Sequence, residues 1–206
     1  MKTWDAFFRD LMPTVRQCPE PTAEHALLRA AQKFCDKTGV WRIWLDNVTT
    51  RANATEYDLP LEPRTELVKL IRATLAGRII DVRTTEEMPD DWRTNTAGIR
   101  DCVFTPDKKT AVLLPAQAAG LILRLEASLK PSNQAEGVED FIHDEYAEVI
   151  AKGARASLLM HDNQPYSNAA MGSALEKEFT DQLASIALTR FRGFSSAMPR
   201  ARAKTF

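Results

Sequence analysis

The feature that most limits what this chain can become is a change of hydrophobic period along it. Apolar residues recur every three to four positions near both ends and every two positions in the middle. The first spacing puts an apolar stripe along one face of a helix, the second along one face of a strand. Strands gathered in the middle and helices at the ends give an α+β chain rather than an alternating α/β one.

Trp4, Phe7, Phe8, Leu11 and Met12 predict a short helix, with Thr3 as its cap and Pro13 as its stop. Thr22, after Pro21, is the expected cap of a second helix. Leu27, Ala30, Ala31, Phe34 and Cys35 form its stripe, and Gly39 closes it. From Val40 the period is two: Trp41, Ile43 and Leu45 point one way, Arg42, Trp44 and Asp46 the other. The polar run NVTTRANAT reads as a turn, after which TEYDLP returns as a paired strand.

The run ELVKLIRATLAGRIIDV fits two descriptions. Leu67, Leu70, Ile71, Thr74 and Leu75 make a helical stripe stopped by Gly77. The same residues also make a strand, a Gly turn and a second strand over 78–82. The β-type segments on either side favour strands.

Thr84 and Glu87 predict a capping box opening a helix through about Trp92. RDCVF and TAVLL flank the turn TPDKK as a hairpin. In LILRLEASLK the residues Leu121, Leu123, Leu125, Ala127 and Leu129 alternate with Ile122, Arg124, Glu126, Ser128 and Lys130. Helical spacing then resumes with Ile142, Tyr146, Val149, Ile150 and Gly153. It returns with Leu175, Phe179, Leu183, Ile186 and Ala187 in a long helix over roughly 170–191.

The expected organisation is helices over 1–39, a β-rich region over 40–132, helices over 133–194 packing with the first, and an extended basic tail over 195–206. The terminal helices form a bundle, with an antiparallel sheet or sandwich inserted between them in sequence.

With 206 residues, 44% of them hydrophobic, the chain can bury one domain's core. Its 27 Lys and Arg against 28 Asp and Glu argue against a dedicated nucleic-acid or membrane-surface binder. The charge is unevenly placed, however. Residues 182–206 hold Arg190, Arg192, Arg200, Arg202 and Lys204 and no acid, which leaves the rest of the chain six charges negative. The end of that segment is poor in large apolar residues and contains Pro199, so it is expected to be disordered in an isolated monomer.

Chemistry-bearing constellations are few. His143, Asp144 and Glu145 are consecutive, and consecutive helix positions diverge by about 100°, so they do not converge on one ion from that helix. His25 and His161 have no partner at a diagnostic spacing, and no G-x-S-x-G, Walker, Rossmann or EF-hand motif occurs. Glu86, Glu87, Asp90 and Asp91 read as a capping box plus solvated charge. Cys18, Cys35 and Cys102 form no C-x-x-C pair and suggest a reducing compartment, with Cys102 in the core. The N-terminus has early acids and no long apolar run, so no secretory signal is expected, and no membrane span is apparent. No catalytic residue, metal or cofactor is expected.

The ordered set of local patterns resembles a family. The matching pieces are WDAFFRDLMPTVRQCPEPTAEHALLRAAQKFCDKTGVW, the segment ATEYDLPLEP, LAGRIIDV, TTEEM, the hairpin and strand through LEASLKPS, and DEYAEVIAKGARASLLMHDNQPYSN. A long helix and an Arg-containing tail follow. Together they resemble the head-to-tail adaptor (connector) proteins of tailed bacteriophages, in the group related to the podovirus tail tubular adaptor. The resemblance implies strand, turn and strand for 66–82. It also implies a virion structural protein at the head–tail interface, made in the host bacterial cytoplasm. Such a protein forms a twelvefold ring beneath the portal protein, extends the DNA channel without sequence-specific DNA contacts, and docks tail nozzle or tail fibre proteins. It carries no catalytic residues.

Apolar and aromatic positions expected to be exposed in the β region, such as Trp44, Tyr57 and Ile122, are candidates for inter-subunit contacts, with burial in the chain's own core as the alternative for each. In an extended tail Arg200, Arg202 and Lys204 fall on one face and could pair with portal carboxylates, with Phe206 as an apolar anchor. Two alternatives stand beside this: a nucleic-acid-binding accessory protein using the basic tail, and a small metal-dependent enzyme around His143, Asp144 and Glu145.

Overall fold

The computed structural model describes residues 1–94 and 98–192. In chain order the elements are β1 (Lys2–Thr3), a 3-10 turn (Trp4–Phe7), α1 (Phe8–Leu11), α2 (Glu20–Thr38), β2 (Arg42–Trp44), β3 (Val48–Thr49), β4 (Glu56–Asp58), β5 (Thr65–Leu75) and β6 (Arg78–Val82). A second 3-10 turn (Thr85–Glu87) precedes β7 (Cys102–Phe104), β8 (Thr110–Leu114), β9 (Ile122–Pro131), β10 (Gly137–Val138), α3 (Asp140–Leu159) and α4 (Ala169–Arg192). The fold is α+β. It divides into a β unit, Met1–Trp4 with Trp41–Glu145, and a helical unit, Asp5–Val40 with the residues from Tyr146 onward.

In the helical unit α2 begins earlier than Thr22 suggests. Pro19 takes the cap position with extended backbone (φ −60°, ψ 137°), and Thr22 N–H donates to its carbonyl at 3.0 Å. Pro21 is tolerated because N–H groups of the first turn have no partner inside the helix. Gly39 closes the helix in the left-handed region (φ 56°, ψ 32°), its N–H donating to Cys35 O at 2.9 Å. The stripe Leu27, Ala30, Ala31, Phe34 and Cys35 is buried, and α2 packs on α4. Lys33 bonds Glu176 and lies 5.4 Å from the Phe179 ring centroid. Phe179 itself is buried against Gly153 of α3, where a Cβ would sit 2.7 Å from two ring carbons. Asn168 caps α4, its side-chain oxygen accepting from Met171 N–H at 3.1 Å.

The β unit holds one eight-stranded sheet in the order β2-β9-β5-β6-β7-β8-β4, with β3 also paired to β9, and a separate ribbon of β1 with β10. β9 is its spine: Leu123, Leu125, Ala127 and Leu129 are buried on one face. β5 and β6 form a hairpin through Ala76 and Gly77, both at positive φ (48° and 81°), the pattern of a turn whose twist matches its strands.

Three expectations are corrected. The sheet is mixed rather than antiparallel throughout, because β6 and β7 run parallel, with Asp81 opposite Cys102. Parallel neighbours need a crossover longer than a tight turn, and residues 83–101 supply it. β4 pairs with β8, not with the strand before it: Tyr57 faces Ala111, while β2 and β3 both pair with β9. The capping box at Thr84 forms, with Thr84 N–H donating to Glu87 Oε2 at 2.9 Å, but the turn it opens ends at Glu87. Met88 is extended (φ −93°, ψ 141°), as a residue before proline must be.

The crossover then lays Met88 and Trp92 over Cys102, Phe104, Val112 and Leu114. The Trp92 and Phe104 rings meet edge to face at 5.0 Å.

Candidate functional site

Pairing decides which side chains the sheet turns outward. Directly opposed residues lie on the same face, so Arg124, Thr74 and Ile79 form one row across β9, β5 and β6. Glu126 opposes both Trp44 and Arg72, and belongs to that face as well. Ile122 is two residues along β9 from Arg124, hence again on the same side. The opposite face carries the buried Leu123, Leu125, Ala73 and Leu75.

This outer face is apolar and cationic. Ile79 is 77% exposed, Ile122 47% and Trp44 41%. The Arg124 guanidinium lies 5.2 Å from the Trp44 ring centroid, a contact worth about 0.5–1 kcal/mol at an exposed site. Arg72 reaches Glu126 at 3.7 Å. Beside Ile122 and Arg124 a notch of about 440 Å³ opens, lined also by Asn47, Ala76, Gly77, Gly120 and Leu121. Towards the other end of β9, Ser128 is buried, and its hydroxyl has no hydrogen-bond partner among the described residues.

The sequence-derived residues separate on this geometry. Trp44 and Ile122 are exposed on the outer face. Tyr57 is 3% exposed and works inside its own turn. Its hydroxyl donates to Ala54 O at 3.0 Å and accepts from Arg51 N–H at 3.2 Å, while the Arg51 guanidinium lies 5.6 Å from its ring centroid. Arg200, Arg202, Lys204 and Phe206, and with them the expected disorder of the tail, lie outside the described residues. Ile79 and Arg124 were not singled out from sequence. The alternation of Ile79 with Ile80 contains the signal, but only pairing says which of the two faces out.

A larger groove of about 670 Å³ lies where β6 leaves β5 to join β7. Val68, Ile71, Lys69, Arg83, Lys108 and Glu86 are among its walls, and no His or Cys lines it. His143 Nδ1 sits 3.1 Å from Asp144 Oδ1, and no group of three or more His, Cys, Asp or Glu among the described residues could hold a metal ion. Cys102 is buried, and burial raises its thiol pKa, the reverse of what a nucleophilic thiolate needs. No helix among the described residues is long and apolar enough to cross a membrane.

What the described residues do offer is an exposed sheet face with apolar and cationic side chains. A family model described as SU10 adaptor protein matches residues 8–203. The chain belongs to the SU10 adaptor protein family. No curated protein matches it. The adaptor's matched span includes the whole outer face just described, both helical segments and most of the basic tail. Membership makes it a phage adaptor protein, in agreement with the resemblance carried by its ordered local patterns.

Proposed function

We propose that this adaptor is a virion structural protein of the head–tail interface. Copies close into a twelvefold ring beneath the portal protein, extend the DNA channel, and present a docking surface to tail nozzle or tail fibre proteins. The observation that carries this reading is the family match over residues 8–203. The role is structural and needs no catalytic residue, metal or cofactor.

Three physical features support it. A ring requires heterologous contacts, in which one surface of each copy meets a different surface of the next. Trp44 and Ile122, exposed on one sheet face beside Arg124, have the aromatic, aliphatic and Arg composition typical of contact surfaces. The chain outside residues 182–206 is net acidic, which suits a conduit that must let a duplex slide without gripping its phosphates. The basic end, with Arg200, Arg202, Lys204 and Phe206, suits an acidic surface on the portal. On this reading the helices over 1–39 and 133–194 act as one body, the β-rich region over 40–132 supplies ring contacts, and 195–206 is the portal-binding segment.

Mixing the full chain with its cognate portal protein tests both parts. Electron microscopy should show adaptor rings on the portal. Removing residues 195–206 should abolish co-sedimentation with portal at micromolar concentration. A wild-type chain that forms no ring there overturns the ring reading, and undiminished binding of the shortened chain overturns the assignment of the tail.

A further inference from the structure

We propose that the contact between neighbouring copies has two different halves, both on the β unit. The outer sheet face around Arg124 of one copy receives the first turns of α3, around Phe141, of the next. This rests on the ring reading above.

The receiving half is the row Arg124, Thr74 and Ile79, with Trp44 and Ile122 beside it. Its cations are Arg124 and Arg72. Glu126 is engaged by Arg72, and Asp81, two residues along β6 from Ile79, lies 3.9 Å from Arg83, so the row of Arg124, Thr74 and Ile79 itself holds a cation and no acid. The notch next to Ile122 and Arg124 gives an inserted ring somewhere to go, with the glycines Gly77 and Gly120 and the small Ala76 among its walls. Buried anchor residues seated in such pockets carry most of the energy of a contact.

The inserting half is on α3. Phe141 is a large apolar side chain left 39% exposed on a surface helix. Asp144 and Glu145 stand three and four residues further on, so they share its helix face. Asp144 is 64% exposed at its side chain, and Glu145 makes no ion pair among the described residues. Asp140 on the same turn is engaged elsewhere, its Oδ1 lying 2.9 Å from the Met1 ammonium.

One half is thus apolar with surplus positive charge, the other apolar with surplus negative charge. That complementarity selects how copies meet. Two outer faces brought together would set Arg124 near Arg124, and two α3 ends would set acid near acid, so both self-pairings are opposed. Outer face against α3 end is the favoured combination. Such a head-to-tail contact excludes the two-fold dimer and gives a ring where its rotation closes, as the ring reading requires.

A charge exchange tests the pairing, with ring formation on cognate portal as the readout. Arg124→Glu and Glu145→Arg should each lower ring yield by about tenfold or more, since each places like charges in contact. The double variant restores the pairing in reverse and should recover most of the wild-type yield. Phe141→Ala should also lower yield, with unchanged circular dichroism showing that the unit still folds. Single variants that assemble like wild type, or a double variant no better than either single, overturn this pairing while leaving the ring reading intact. A wild-type chain that forms no ring on portal overturns both.

Discussion

The two units close their cores in opposite ways. In the helical unit packing is tight enough to need a missing side chain: Gly153 lies where any Cβ would press on the buried ring of Phe179. In the β unit one face of the sheet is sealed by Leu123, Leu125 and Leu129, while the other leaves Ile79, Ile122 and Trp44 in solvent. A close-packed helix pair has little room for change at its contact and offers little surface there. At the β7–β8 end Met88 and Trp92 cover that second face, but around Ile79, Ile122 and Trp44 it contributes little to the isolated fold, so its apolar side chains there are available to a partner.

The largest effect that can break this contrast is at Gly153. Alanine gains up to about 1 kcal/mol in helix propensity, but overpacking a core costs about 1–3 kcal/mol. Because the obstructing atoms belong to a ring that is 1% exposed, the clash should win, with a net loss of about 1–2 kcal/mol in urea denaturation. Phe179→Leu removes the obstruction. In that background Gly153→Ala should become neutral or stabilising, and the difference between the two backgrounds measures the contact. A Gly153→Ala chain as stable as wild type would show that the helical contact is looser than the geometry indicates.

The same contrast accounts for what could be read in the sequence. Stripes such as Leu27, Ala30, Ala31 and Phe34 are local, and so is the closure at Gly39, so the long helices were legible, although α2 starts before Thr22 and the capping box at Thr84 opens only a short turn. Local hairpins were legible too, through the Gly77 turn and TPDKK. What escaped were pairings between strands far apart, β2 with β9, β4 with β8 and parallel β6 with β7, since alternation says which residues share a face but not which strand lies beside them.

The ambiguity of 66–82 has its own cause. β5 shifts register against β9 between Leu67 and Lys69 and again between Leu70 and Arg72. Each irregularity adds a residue to β5, so its buried positions fall at Leu67, Leu70 and Ala73, a spacing of three that imitates a helix. The outer face was only half visible for a related reason. Trp44 and Ile122 stand out as large residues at polar positions, whereas Ile79 beside Ile80 needs the hairpin register to be placed.

A smaller effect sharpens the view of local stability within the β unit. Asp107 in the β7–β8 turn accepts from Lys109 N–H at 2.9 Å and Thr110 N–H at 2.7 Å, and these bonds hold its carboxyl below the usual range. A group whose folded pKa is depressed contributes stability above its unfolded value, and that contribution is lost as pH falls through the folded one. Asp107→Asn removes this titration. Its stability curve should therefore be flatter than wild type on the acid limb, below the ordinary aspartate range. Superimposable curves would mean that the carboxylate does not hold the turn.

The smallest expected effect bears most directly on the outer face. Ile79→Thr keeps a β-branched side chain in β6, so strand preference is nearly preserved while an exposed apolar group is removed. If the face is open to solvent in the isolated chain, stability should stay within about 0.5 kcal/mol of wild type, as for surface substitutions generally. A loss of more than about 1 kcal/mol would mean that Ile79 is already covered by the chain's own residues. The two units would then close their cores in the same way, and the outer face would have no apolar surface left to give a neighbouring copy.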